Sequence, residues 1–209
     1  IHARFAVHGG KAVTSGDFAI AGVAGTGARI RLDFLQPDGA VTGALLPTGN
    51  PVDVLHVDGE AIEATLIDAT SPIVYVDAAV LGLTGAESPE AIEATPGVMA
   101  RLERIRRAGG VAMGIAETPE AVSLQTPRMA LVAPPRDFRS LDGETVAAGD
   151  FGIATRMLSM GRAHRAIPGT GGLNLGVATQ VPGTIPNRLS RPANAAGEVR
   201  VANPSGLVS

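Results

Sequence analysis

The sequence predicts an α+β fold, and three observations lead there. Strand-like runs outnumber helical ones, the two kinds do not alternate strictly, and turn signals cut the 209 residues into short segments. Of these residues 45% are hydrophobic, yet there are only five Phe, one Tyr and no Trp, so the core must be built from Ala, Val, Ile and Leu.

The elements follow in chain order. Strand-like runs come first: Ala3–Val7, Arg29–Phe34, Val52–Val57, Ala61–Ile67 and Ile73–Val76. In Ala61–Ile67 the apolar residues interleave with Glu63 and Thr65, as a half-buried strand requires. Lys11, after Gly9-Gly10, reads as a hairpin lysine. Pro37-Asp38-Gly39, Pro47-Thr48-Gly49 and Asp58-Gly59 read as turns.

Ser88 is a suitable N-cap, with Pro89 at the first helical position. Thr95-Pro96 repeats that signature and predicts a helix through Met99, Leu102 and Ile105, ended by Gly109-Gly110. A strand follows at Met129–Ala133. Asp150 then predicts a helix through Ile153, Met157 and Leu158, and another helix is expected over Leu173–Thr179. The Pro-, Gly- and Asn-rich stretch from Val181 to Gly197 reads as a long loop, before a last strand at Val199–Ala202.

Composition excludes several chemistries. With no cysteine there is no disulfide, thiolate zinc site or cysteine nucleophile in this chain. A net charge of −3 gives no electrostatic case for nucleic acid or an anionic membrane. No apolar run approaches the ~20 residues that span a bilayer. The histidines at 2, 8, 56 and 164 have no metal-ligand spacing, and no G-x-S-x-G elbow occurs. Gly22, Gly25 and Gly27 precede a strand rather than a helix, which rules out a dinucleotide fingerprint.

What remains is a set of polar residues at turns, and the segment Ser159–Ala178 is the most informative. Pro168 stops what precedes it, and Gly169, Thr170, Gly171 and Gly172 open a helix. Such a start leaves backbone N–H groups unpaired at the positive end of the helix dipole, where a carboxylate or phosphate fits. His164, with Arg162 and Arg165, lies just upstream. Packing alone is the competing explanation for the glycines, and a surface position at a helix end is the competing explanation for His164. Asp68 reads as an Asx-turn residue closing a strand, and Asn203 to Gly206 as a tight turn.

Five stretches together carry a resemblance: AGVAGTGARIRLDFLQPDGAVTGALLPTGN (21–50), LIDATSPIVYVDAAVLGLTGAESPEAIEA (66–94), RMLSMGRAHRAIPGTGG (156–172), VPGTIPNRLS (181–190) and NPSG (203–206). In this order the chain resembles the 2-methylaconitate cis–trans isomerase family of the methylcitrate route of propionate breakdown, whose relatives include 3-methylitaconate isomerase and 4-oxalomesaconate tautomerase. The resemblance implies a diaminopimelate-epimerase-like fold with two pseudo-symmetric lobes and a site in the cleft between them. Residues 1–36 would be trailing strands of the first lobe and 37–209 the second, without its closing segment. The family's R-G-G-T-S-K-G-like opening, its catalytic lysine, its N-C-G-N cysteine and its R-T-A-R-R-like close do not occur here, so the acid and base are expected outside this chain. The chain starts at Ile1 inside an apparent strand, as an interior piece of a longer protein would.

The resemblance implies allylic proton transfer in an unsaturated tricarboxylate. Gly169, Thr170 and Gly171 would bind carboxylate, His164 would orient or bind, and Thr48, Gly49 and Ser205 are further cleft candidates. In the related epimerases a catalytic cysteine directly precedes the second lobe's G-T-G, and here Pro168 stands there. No metal or organic cofactor is expected, and the expected compartment is the cytoplasm. The isolated piece is expected to be inactive, and a homodimer stays open. The alternatives are a non-catalytic polycarboxylate-binding or dehydratase-accessory protein, a 4-oxalomesaconate-type tautomerase, and a degenerate paralogue.

Overall fold

A computed structural model of the chain describes residues 1–195 and 197–208. The chain opens with short strands β1 (His2–Phe5), β2 (Val7–His8), β3 (Lys11–Ala12) and β4 (Ile30–Asp33). It continues through β5 (Asp53–Val57), β6 (Glu60–Ala69), β7 (Ser71–Asp77), α1 (Pro89–Ala94), α2 (Val98–Ala112), β8 (Arg128–Ala133), β9 (Phe138–Arg139) and β10 (Thr145–Val146). Then come β11 (Ile153–Ser159), β12 (Arg162–Ala163), α3 (Gly169–Gln180), α4 (Ile185–Leu189), β13 (Val201–Asn203) and β14 (Gly206–Val208).

One mixed sheet organises residues 53–208, in the order β14-β13-β11-β8-β7-β6-β5, with β12 paired to β11. The β7–β8 and β11–β13 pairs are parallel and the others antiparallel. Each face carries helices. Leu66, Val74 and Val76 pack with Ile92, Leu102 and Ile105 of α1 and α2 on one side. Ile67, Ile73, Tyr75 and Met157 pack with Leu175 and Ala178 of α3 and Ile185 of α4 on the other. The architecture is strand-rich, with the strands expected from sequence in place.

Residues 1–34 form two ribbons, β1–β4 and β2–β3. In the first, Ala3, Phe5, Ile30 and Leu32 share one face, and Phe5, Ile30 and Leu32 stay at least half exposed. Arg4 and Arg31 pair with Asp33 on the other face at 2.8 and 2.7 Å.

Four local expectations are corrected. The stretch after Asp150 is the strand β11, not a helix: it lies between β8 and β13 with both faces covered, so its apolar residues run on instead of alternating. Gly109 and Gly110 do not end α2. They lie within it, because a Cβ on Gly109 would stand 2.5 Å from Val74 Cγ2 and one on Gly110 2.9 Å from Val122 Cγ1. Thr95 closes α1 instead of opening α2, its hydroxyl donating to Ala91 O at 2.8 Å, and Gly97 at φ +77° caps α2. The expected loop after Val181 contains α4, capped by Thr184 Oγ1 accepting from Asn187 N at 3.1 Å.

Arg156 is the largest side chain buried in this core. Its Nε donates to Glu87 O at 2.6 Å, its Nη1 to Thr155 O at 2.9 Å, and the guanidinium carbon lies 5.1 Å from the Phe138 ring centre. Burial pulls its pKa down to about 10, with Glu87 acting in the opposite direction. The arginine stays charged at neutral pH and fastens the 84–88 loop to the sheet.

Candidate anion site at the start of helix α3

The glycine cluster forms the first turn of α3 rather than leading into it. Pro168 at the N-cap makes no side-chain cap, and the first helical bond runs from Gly172 N to Pro168 O at 2.9 Å. Among the described residues the N–H groups of Gly169, Thr170 and Gly171 have no acceptor. Each glycine has its own reason. Nothing lies within 4 Å of a Cβ at Gly169, which leaves open space for a ligand. A Cβ at Gly171 would meet Met157 Sδ at 2.6 Å, so this glycine lets the helix start settle on β11. Packing therefore accounts for Gly171 and leaves Gly169 unobstructed.

The sheet end beneath this turn supplies the rest of the site. Arg128, the first residue of β8, donates Nη1 to Thr170 Oγ1 at 2.8 Å. Thr70, in the turn between β6 and β7, donates Oγ1 to Thr170 O at 2.9 Å. Thr70 holds φ +69°, a conformation that costs a β-branched residue about 1–3 kcal/mol. It is held there by this bond and by its own N–H, 2.6 Å from Pro37 O. Below it, Asn174 of α3 donates Nδ2 to Ala69 O at 2.9 Å and to Ser71 O at 2.7 Å.

His164 lies on the connection from β12 to α3, half-buried, with its N–H 2.8 Å from Met157 O. Burial lowers its pKa below the ordinary 6.5, and the Arg128 charge pushes the same way, so the imidazole is neutral at pH 7. Both sides of the connection are tethered. Arg165 pairs with Glu90, and Ala163 N donates to Glu93 Oε1 at 3.0 Å, both carboxylates belonging to α1. Ser205 Oγ donates to Arg165 O at 2.7 Å. Ser205 thus abuts the His164 segment through its hydroxyl, while a Cβ on Gly22 would stand 2.6 Å from it.

The sequence matches the family described as PrpF protein over residues 1–209. The chain belongs to the PrpF family. It is 39% identical over 214 residues to the 2-methyl-aconitate isomerase of Shewanella oneidensis, covering 100% of this chain and 54% of that protein. It is 35% identical over 212 residues to the 3-methylitaconate isomerase of Eubacterium barkeri, covering 100% of this chain and 56% of that one. A crystal structure of methylitaconate-delta-isomerase superposes with a TM-score of 0.91 at 35% identity, covering 99% of this chain and 54% of the other. The chain therefore spans about half the length of these relatives.

Within this PrpF-family chain the expected residues fall into two groups. Gly169, Thr170, Gly171 and His164 share the α3 end of the sheet, with Ser205 tied in through Arg165. Thr48 and Gly49 belong to a separate turn before β5. The Thr48 hydroxyl donates to Asp53 Oδ2 at 2.7 Å, and Gly49 turns the chain at φ +80° with its N–H 2.9 Å from Leu46 O. No hydrogen bond joins that turn to α3 among the described residues. Asp68 is not a local turn former. Fully buried, it accepts from Val41 N, Thr42 N and Thr42 Oγ1 at 2.7, 2.8 and 3.0 Å, and so fastens a loop more than 25 residues away.

Two neighbours of the α3 start, Arg128 and Thr70, carry no sequence signal of their contact with it. Arg128 stands between Thr126-Pro127 and an apolar strand, and it reaches a residue 42 positions on. Thr70 carried a visible Thr-Ser-Pro turn signal, but nothing there announced its bond to Thr170 across 100 residues. Among the described residues no three metal-ligating side chains converge, and no helix is long and apolar enough to cross a membrane.

Proposed function

We propose that this chain is the carboxylate-holding part of an isomerase that acts on unsaturated tricarboxylates of the 2-methylaconitate or trans-aconitate type by allylic proton transfer. One observation carries the reading. Three unpaired N–H groups at the start of α3 stand beside the guanidinium of Arg128 and the neutral imidazole of His164. The names of the relatives, isomerases of 2-methyl-aconitate and 3-methylitaconate, agree with it.

The chemistry makes such a site useful. A base removes a proton next to a carboxylate and a conjugated double bond, and the charge spreads as a dienolate into that carboxylate. An acid returns the proton at the other end, so the double bond moves or changes geometry. Preorganised N–H donors favour the developing oxyanion without having to reorient, and one such donor is worth ~3 kcal/mol. Gly169, Thr170 and Gly171 would supply these donors, and His164 would orient the bound group. In this reading residues 1–36 complete a first lobe and residues 37–209 form the second lobe of a two-lobed, diaminopimelate-epimerase-like protein. The acid and base come from the remainder of the full-length protein. Lys11, the only lysine, lies exposed in the β2–β3 hairpin, where its Cα pairs with His8.

The test is solvent exchange. The full-length protein incubated with trans-aconitate or 2-methylaconitate in deuterium oxide is expected to incorporate deuterium at the allylic carbon, with isomer formation. Tight binding without exchange supports instead a polycarboxylate-binding accessory protein.

A further inference from the structure

Arginines in this chain are mostly matched. Arg4, Arg31, Arg101, Arg104, Arg106, Arg107, Arg162, Arg165 and Arg188 face carboxylates within 4.0 Å. Arg128 differs. It is half-buried at the start of β8, and among the described residues its one hydrogen bond is from Nη1 to Thr170 Oγ1. No carboxylate lies within ion-pair distance of it among those residues. A guanidinium carries five N–H donors in a fixed plane, so most of its donors are left for something else. Partial burial also makes an uncompensated charge costly, a cost that an anionic ligand removes.

The same hydrogen bond determines what Thr170 can do. A hydroxyl has one proton to donate. Thr170 Oγ1 already accepts from Arg128, and among the described residues its own proton has no acceptor. Its backbone is fixed as well, since Thr70 Oγ1 holds Thr170 O at 2.9 Å. Arg128 thereby turns Thr170 into a donor at the helix start, next to its own unpaired N–H.

We propose that Arg128 is a specificity-determining residue of this site: its guanidinium supplies the countercharge for one ligand carboxylate, and its bond to Thr170 aims the threonine hydroxyl proton at the same carboxylate. This rests on the polycarboxylate reading above and adds which charge selects the ligand. Affinity should depend on the number of carboxylates presented, and it should depend on Arg128 and Thr170 as a unit.

The experiment is calorimetric titration of the full-length protein with propane-1,2,3-tricarboxylate, which has no double bond to isomerise, and with glutarate. Wild type, Arg128→Gln, Arg128→Lys, Thr170→Val and the Arg128→Gln/Thr170→Val double variant are compared, with thermal midpoints measured in parallel. Arg128→Gln is expected to weaken tricarboxylate binding at least ~10-fold, a 1.4 kcal/mol difference. It should also shrink the preference over glutarate, while Arg128→Lys restores part of the affinity. The double variant should lose no more than ~3-fold beyond Arg128→Gln, because Thr170 acts through the arginine. Two results overturn the proposal: wild-type affinity in Arg128→Gln with an unchanged thermal midpoint, or additive losses in the double variant. In either case exchange activity in the wild type leaves the isomerase reading standing. Wild-type protein that binds neither acid and exchanges no deuterium overturns both.

Discussion

The phenol of Tyr75, fully buried on β7, donates to Asn174 Oδ1 on α3 at 2.9 Å. Burial pushes the Tyr75 pKa well above 10, so it remains a donor at any working pH. The amide nitrogen of Asn174 grips both carbonyls that flank Thr70, so one buried pair fixes the strained turn beneath the start of α3. Tyr75→Phe leaves the Asn174 oxygen buried without a donor, which costs about 1–3 kcal/mol. Chemical denaturation should show this as a lower midpoint with an unchanged slope, and carboxylate affinity should fall along with it.

Glycines in the helices divide by what a methyl group would touch. Gly109→Ala gains ~1 kcal/mol of helix propensity but drives a Cβ to 2.5 Å from Val74 Cγ2, and overpacking there costs about 1–3 kcal/mol. We expect net destabilisation. Gly171→Ala should also destabilise by crowding Met157, whereas Gly169→Ala, with nothing within 4 Å, should be neutral or stabilise by ~0.4–1 kcal/mol. Thermal melts of the three variants check the ranking.

Glu103 is the counter-ion of a nearly buried arginine. Arg106, 4% exposed, donates Nε and Nη2 to Glu103 at 2.7 and 2.8 Å, and Nη1 to Ser123 O and Pro127 O at 2.8 and 2.9 Å. The arginine so anchors the segment that delivers Arg128. Glu103→Ala strips its countercharge. Because Glu103 itself is partly exposed, we expect a loss of about 2 kcal/mol, between a surface pair and a fully buried one. Unfolding free energies of Glu103→Ala and Glu103→Gln measure it.

His164 makes stability depend on pH in a defined direction. Its folded pKa is lowered, first by burial and then by Arg128, so the unfolded chain binds the proton more tightly than the folded one. Stability associated with this group is fully present above 6.5 and is lost as pH falls through the lowered folded value. His164→Asn should therefore lose less of its thermal midpoint between pH 7 and pH 5 than wild type. An identical slope in the two proteins contradicts the shift.

Local chemistry made much of this fold legible and long-range chemistry did not. The strand-like composition of Ala61–Ile67 and the Ser88-Pro89 cap mark β6 and α1 because each signal is contained within a few residues. Even so, β6 is not the half-buried strand expected: from Ala64 on, Thr65 included, it is buried on both faces. Ile153–Ser159 misleads as a helix because a strand covered on both faces does not alternate. Gly109-Gly110 mislead as a helix end because their reason is Val74 and Val122, distant in sequence. The α3 start was readable for the same reason as α1. Its partners Arg128 and Thr70 were not, since the bonds that define them span 42 and 100 residues.

The central claim is that the first N–H groups of α3 hold a carboxylate. Amide NMR of the labelled full-length protein, titrated with propane-1,2,3-tricarboxylate, tests it most directly. The Gly169, Thr170 and Gly171 resonances are expected to move downfield together and saturate at one affinity. Saturable binding that leaves those three amides unmoved contradicts it.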